Sequence, residues 1–473
     1  MRAVQRRPIR RPPLREGKLV RGAVGVLAII SCLAAAGTAC AEDQRASAPE
    51  ARAAAAQVRP PTAGWEDVTR EFTGEEFLAW PNGKVDGRDV RVSPTLSFAS
   101  GFEINHHRVK VEFAGDGSVE LSVAHHQDDK LDEAVAKSRL HSGFKRVKSG
   151  QEILVSSPQK ANRCAWLIVQ TKGDARVTKI TYTCWRGRGT VFGHSPGVFQ
   201  FAGAKLPYRL MYPRTYDPAK SYPLVISVHG SGGVGTDNYR SMENVILAKF
   251  LFTTYYFDKD LECFSLVTQI LPNPAIPKPY WPAGEKGAPD SFYHPDWPAV
   301  NENGYYVQAT LALIRALIDG GRINIDPDRV YYTGFSYGGK ACWEFLRAGR
   351  ETFAAAMSGG GWPIGRAFSD PTHLQRKRLE QEVQRHKHIP VFIFAGENDL
   401  MRRGSRAVHE VILAQSGKGK YVEIPRAGHI DSAARGWLDR ENILWLFRQS
   451  RKDNPAPGDD PFPGGVYPQP RAD

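Results

Sequence analysis

The chain has 473 residues, 41% hydrophobic and 24% charged, a balance that gives room for two domains and excludes a disordered or fibrous chain. The formal charge of +13 first suggests a polyanion partner, but eight Lys and Arg and one Glu fall in residues 1–41, leaving only +6 for the rest. Nucleic acid is therefore not an expected partner.

Arg2 to Arg21 is basic, and the next 19 residues, Gly22 to Cys40, carry no charge and end in small residues. Residues 1–41 thus read as an export signal, with Ala39-Cys40-Ala41 as the cleavage site. Cys40 or Cys32 offers a lipid anchor instead, and a single spanning helix is the remaining alternative. The expected location is secreted, periplasmic or on the cell surface. Residues 42–62 are Ala-, Arg- and Pro-rich and read as a linker.

Residues 63–190 alternate with period two. Val109, Val111 and Phe113 precede an Ala-Gly-Asp-Gly turn, and Val119, Leu121 and Val123 follow it. A small antiparallel β-sandwich-like accessory domain is expected, interrupted by a short helix near Asp129 to Leu140. Cys164 and Cys184 begin and end two β-like runs with a turn at Gly173-Asp174 midway. A hairpin folded there sets the two cysteines opposite each other, so a disulfide is expected in an oxidising compartment, with two buried thiols as the alternative.

From Gly197 short apolar runs alternate with helical patterns. Strands are expected at Pro223–Val228, Phe264–Ile270, Val330–Thr333, Pro390–Ala395 and Tyr421–Ile424. Helices are expected at Gly304–Asp319, Tyr337–Leu346 and Arg435–Gln449. This is the texture of a mostly parallel sheet with helices on both faces. It occupies residues 197–449, and residues 450–473 read as a flexible tail.

G-x-S-x-G occurs twice, so context decides between the copies. A nucleophilic Ser needs a strand before it, a helix after it and an N–H on the following residue. Ser195 is followed by Pro196, which has no N–H, and then by a strand-like run. Ser336 follows Val330–Thr333, precedes a helix, and has Gly334, Gly338 and Gly339 around it. These residues resemble the α/β-hydrolase superfamily over about residues 197–449. Leu206–Tyr216 followed by Tyr222–Gly230 is similar to secreted carboxylesterases and predicted peptidases, relatives of feruloyl esterases, polyhydroxybutyrate-depolymerase-like enzymes and prolyl-oligopeptidase-like hydrolases.

A Ser hydroxyl needs a base, and the base needs a carboxylate to orient it. In this fold the chain order is Ser, acid, His. Asp399 follows one expected strand and His429 the next, and the family's Gly-x-x-Asp and Gly-His patterns fall on them. Glu397 is the rival acid. His409 lies in a helical pattern and is a poorer base. The resemblance also implies an oxyanion site at the N–H groups of Tyr337, Ser231 and Gly232, with His229 holding that loop. Tyr280, Trp281, Trp297 and Trp362 could contact substrate or cap the core. No metal site is expected: His106-His107 and His125-His126 are adjacent pairs in strands, and His386 and His388 have no third ligand nearby. No cofactor is expected either. The reading is an exported serine hydrolase of small or polymeric carboxylic esters. A prolyl-oligopeptidase-like peptidase and an inert surface-binding protein are the alternatives.

Overall fold

The computed structural model describes residues 65–96, 102–126, 130–132, 143–155, 163–272, 275, 304–363 and 370–458. The leader and the linker lie outside these residues, and so does most of the helix expected near Asp129 to Leu140. None of the described helices is long and apolar enough to cross a membrane.

The first nine strands form two antiparallel sheets. They are β1 (Trp65–Thr73), β2 (Asn82–Val85), β3 (Arg88–Val92), β4 (Phe102–Ala114), β5 (Ser118–His126), β6 (Lys145–Val147), β7 (Glu152–Val155), β8 (Cys164–Lys172) and β9 (Arg176–Arg188). One sheet has the order β1-β9-β4-β7 and the other β2-β3-β8-β5-β6. Their inward residues share one core: Val109 and Val111 from β4, Val119 and Leu121 from β5, Leu167 from β8 and Ile180 from β9.

The sequence suggests hairpins β4–β5 and β8–β9, but neither forms. Instead β4 pairs with β9 as far as Ala114↔Arg176, and β5 pairs with β8 from Ser118↔Lys172. Both strands of the ladder cross together from one sheet to the other. Their two turns lie so close that a Cβ at Gly117 would stand 2.1 Å from the Lys172 carbonyl oxygen, which is why glycine sits there.

This crossover corrects the expected disulfide. Cys164 lies opposite His126 in one sheet, while Cys184 lies opposite Val68 in the other, and both are buried free thiols. The sequence locates the strands, but a disulfide depends on which strands face each other. Alkylation of the denatured, unreduced protein is expected to modify both cysteines. Protection of the pair until a reductant is added would contradict the observed pairing.

The remaining strands are β10 (Ser195–Phe201), β11 (Ala204–Met211), β12 (Tyr222–Val228), β13 (Phe264–Thr268), β14 (Ile325–Phe335), β15 (Ala355–Gly359), β16 (Val391–Gly396) and β17 (Gly419–Ile424). They form one sheet of order β10-β11-β13-β12-β14-β15-β16-β17. The β10–β11 and β11–β13 pairs are antiparallel and the others parallel. Every residue of β12, β13, β15 and β16 is buried, as parallel strands covered on both faces must be.

Nine helices are used below: α1 (Gly74–Leu78), α2 (Arg240–Asn244), α3 (Ile246–Thr253), α4 (Tyr305–Asp319), α5 (Tyr337–Ala348), α6 (His373–His386), α7 (Arg402–Ala414), α8 (His429–Leu438) and α9 (Arg440–Phe447). One face of the large sheet is covered by α4 to α7, through residues such as Leu313, Phe345, Leu379 and Val411. The other is covered by α2, α3, α8 and α9, through Met242, Phe252, Trp437 and Ile443. Trp185 of β9 joins this second core, so the N-terminal sheets are anchored on α3.

Two boundaries differ from the sequence reading. The helix expected over Arg435–Gln449 is divided at Asp439, whose side chain caps α9 by accepting the Glu441 N–H at 3.0 Å. The tail does not begin at 450. Lys418 donates to the Asn454 side chain and Arg350 donates to Pro457 O at 2.7 Å, which holds residues 450–458 against the loops after α5 and before β17.

Candidate active site

Ser336 stands between β14 and α5 with φ 57° and ψ −112°, a conformation that an L-residue holds only under constraint. The constraint is visible. Its N–H donates to Gly359 O at 2.9 Å, and its own carbonyl accepts from Lys340 N–H at 2.9 Å. Tyr332 donates its hydroxyl to Gly338 O at 2.7 Å, and Ser358 donates to Gly339 O at 2.9 Å. A Cβ at Gly338 would lie 2.2 Å from Val228 O, so only glycine lets α5 start this close to β12. The turn presents the hydroxyl at the C-terminal edge of the sheet, where open α/β sheets bind ligands.

Asp399 follows β16 in a short turn, closed by its N–H on Gly396 O at 3.0 Å. Its side chain is only 1% exposed. Oδ1 accepts the Met401 N–H at 2.9 Å, and Oδ2 faces His429 Nδ1 at 2.8 Å. His429 is the first residue of α8, and its side chain is 33% exposed. The two loops are joined by Asn398 N–H on Ala427 O at 2.9 Å. Accepting from Nδ1–H fixes the imidazole so that its other nitrogen can act as a base.

The imidazole lies 4.6 Å, centroid to centroid, from the ring of Phe335, the residue before Ser336. A Cβ at Gly360 would lie 2.9 Å from His429 Cε1 and 3.1 Å from Asp399 Oδ2, so this backbone passes directly beneath the pair. Among the described contacts, Ser336 and His429 share no hydrogen bond. Such bonds are commonly long before substrate closes the site.

Glu397 is exposed and accepts the Arg426 N–H at 2.6 Å, so it ties the same two loops without touching the imidazole. His409 stacks on Tyr421 at 5.8 Å on the far helix. Ser195 opens β10, paired with Leu210, and no helix follows it.

The loop after β12 forms a 3-10 turn, Ser231–Gly233. The first N–H groups of such a turn have no partner within it and point outward. A Cβ at Gly230 would lie 3.9 Å from Ser336 Cβ, which places this loop beside the elbow. His229 is buried. Its Nδ1–H donates to Gly230 O at 2.6 Å, and its Nε2 accepts the Ile270 N–H at 2.9 Å. Burial pulls its pKa from 6.5 down to about 4, so the ring stays neutral and keeps that tautomer.

Tyr280, Trp281 and Trp297 lie outside the described residues. Trp362 is 2% exposed and part of the core under α5, so it packs rather than faces an open cleft. His106 stacks on Tyr256 at 5.0 Å, whereas His107 meets the Tyr182 hydroxyl at 2.8 Å. His386 lies against Trp343, and His388 donates to Arg350 O at 2.9 Å. The sequence reading missed Tyr332, Arg209 and Gln269, three polar groups in or beside otherwise apolar strands.

No known family profile matches the chain, and no curated protein matches it. Similar solved structures include a thermostable esterase, 20% identical with a TM-score of 0.43, covering 74% of this chain and 100% of that one. A ferulic acid esterase from the anaerobic fungus Anaeromyces mucronatus is 15% identical with a TM-score of 0.38, covering 54% and 90%. An acylaminoacyl peptidase from Pyrococcus horikoshii is 14% identical with a TM-score of 0.36, covering 54% and 41%. The α/β-hydrolase architecture of residues 195–447 rests on its own strand order and on the Ser336 elbow at the centre of the sheet.

Proposed function

We propose that the protein is an exported serine hydrolase of carboxylic esters, with Ser336 as nucleophile, His429 as base and Asp399 as the group that orients it. The observation that carries this reading is the 2.8 Å contact between buried Asp399 and His429 Nδ1, set beside an elbow that holds Ser336 at φ 57°. In the reaction, Ser336 Oγ attacks the ester carbonyl carbon and its proton passes to His429 Nε2. The negative charge on the carbonyl oxygen is met by the N–H groups of Tyr337 and of Ser231 or Gly232. Collapse breaks the bond to the alkoxy oxygen, which leaves as the alcohol with the proton from His429. Water then repeats the steps, releasing the carboxylic acid and restoring Ser336.

Export rests on the basic leader and the charge-free run to Cys40. The ester preference rests on the resemblance carried by Leu206–Gly230. Kinetics on matched acyl esters and peptide amides test it. The expected result is kcat/KM higher for the ester by more than about 100-fold, since an alkoxide is a far weaker base than an amide anion and its departure depends less on complete proton transfer from His429. Amide turnover equal to or above ester turnover would make the protein a peptidase instead.

A further inference from the structure

Three polar side chains are buried where apolar ones are cheaper. Glu103 on β4 is 2% exposed, Arg209 on β11 is 7% exposed, and Gln269, just past β13, is fully buried. Burying such groups is costly unless each polar atom is paired. Their partners form a continuous line from the N-terminal sheets to the loop beside Ser336.

The line starts at a two-residue turn. Val191 and His194 exchange backbone hydrogen bonds of 3.1 and 3.0 Å, with Phe192 and Gly193 between them at φ 48° and 72°. Two successive left-handed residues aim their N–H groups into one hollow, which suits an anion. Glu103 fills it. Oε1 accepts Phe192 N–H at 2.8 Å, and Oε2 accepts Gly193 N–H at 3.1 Å and the Thr190 hydroxyl at 2.8 Å. Arg209 takes up the other side of the turn, donating Nη1–H to His194 O at 3.0 Å and Nε–H to Asn238 O. Asn238 passes the line on, its N–H donating to Gln269 Oε1 at 2.7 Å. Gln269 Nε2 then donates to Gly233 O at 3.1 Å and to Asp237 at 2.9 Å. Gly233 is the last residue of the 3-10 turn that begins at Ser231.

We propose that the N-terminal β region positions the hydrolase centre through this relay, from Glu103 by way of Arg209, Asn238 and Gln269 to Gly233, and that Gln269 is the positioning residue for the oxyanion N–H groups. The inference rests on the hydrolase reading above. A three-residue 3-10 turn has little stiffness of its own. Oxyanion donors act only if held within 2.7–3.1 Å of where the charge develops. Gln269 uses both ends of its amide, so it holds the closing carbonyl of that turn in one place. The N-terminal sheets thereby have a role that packing alone does not give them.

The test uses the full chain and four variants: Gln269→Leu, Glu103→Gln, their double, and Tyr182→Phe. The last removes a hydrogen bond to His107 in the same β core and lies off the relay. With a p-nitrophenyl ester, Gln269→Leu is expected to lower kcat about tenfold with KM within about twofold, since donors are displaced rather than removed. Glu103→Gln is expected to lower kcat about threefold, a typical size for coupling at a distance. The double variant should be no slower than Gln269→Leu alone, because the two act along one line. Tyr182→Phe should turn over like the parent. Amide exchange at 231–234 should quicken in Glu103→Gln and not in Tyr182→Phe.

Unchanged kcat in both relay variants, additive losses in the double, or an equal loss in Tyr182→Phe would each overturn the relay. Glu103→Gln keeps the shape of the side chain and carries the test if Gln269→Leu does not fold. If the parent fails to label at Ser336 with a fluorophosphonate, the hydrolase reading falls, and exchange at 231–234 still decides the relay.

Discussion

Replacing Ser336 with alanine is expected to abolish fluorophosphonate labelling and to lower ester turnover by roughly 10⁴- to 10⁶-fold. His429→Ala should lose about as much, and the double variant no more than either alone, because nucleophile and base act in one step and the loss of one idles the other. Asp399→Asn should cost on the order of 10⁴-fold: the geometry survives, but the amide no longer selects the Nδ1–H tautomer or stabilises the imidazolium. The strain at Ser336 supplies an internal check. Alanine at φ 57° keeps the backbone cost, whereas glycine removes it, so Ser336→Gly should be more stable than Ser336→Ala by about 1 kcal/mol and equally inactive. Calorimetry and labelling on the same preparations read both effects. Labelling of Ser336→Ala at the parent's rate would remove Ser336 from the chemistry.

Whatever depends on a residue's own strand and the turn after it could be read from the sequence, and whatever depends on a distant partner could not. Val330 to Thr333, the Gly-rich elbow and the following helix are local, and they lie within β14 and α5 as observed. Asp399 and His429 each follow a short apolar run, so their order along the chain already places them at one edge of a parallel sheet. Period two in β4 and β5 also gave the inward residues correctly. It could not say that these strands belong to different sheets, because alternation sets which side faces the core and leaves the pairing partner open. The Cys164–Cys184 expectation failed at that step. Arg209 and Gln269 did leave a trace: a charge within Leu206–Met211 and an amide beside Phe264–Thr268 have no apolar reason to be there. Their partners, Asn238 and Gly233, come from loops whose course no periodicity describes.

Mild acid should unfold the protein, because its buried histidines resist protonation. Burial holds His106, His194 and His386 at about 3 and His229 at about 4, and pushes His107 well down too, against an ordinary value of 6.5. Above pH 6.5 these rings are neutral in the folded and unfolded chain alike, and stability is intact. As the pH falls below 6.5 the unfolded chain binds protons that the folded chain refuses, and stability drops until the folded values are reached. Each imidazole costs about 1.4 kcal/mol per pH unit across that window. Four of them cost on the order of 8 kcal/mol by pH 5, as much as the whole stability of many domains. Glu103 opposes the trend. Burial raises its carboxyl above the usual range, so the folded chain takes up that one proton first and regains a little stability. Urea denaturation at pH 7.5, 6.5, 5.5 and 5.0 is therefore expected to show stability falling with a limiting slope of roughly four to five protons bound on unfolding. His386→Phe should reduce that slope by about one proton, because its ring is buried against Trp343 and phenylalanine fills the same space without titrating. A stability that stays flat from pH 7.5 to 5.0 would mean that these rings reach water in the folded protein.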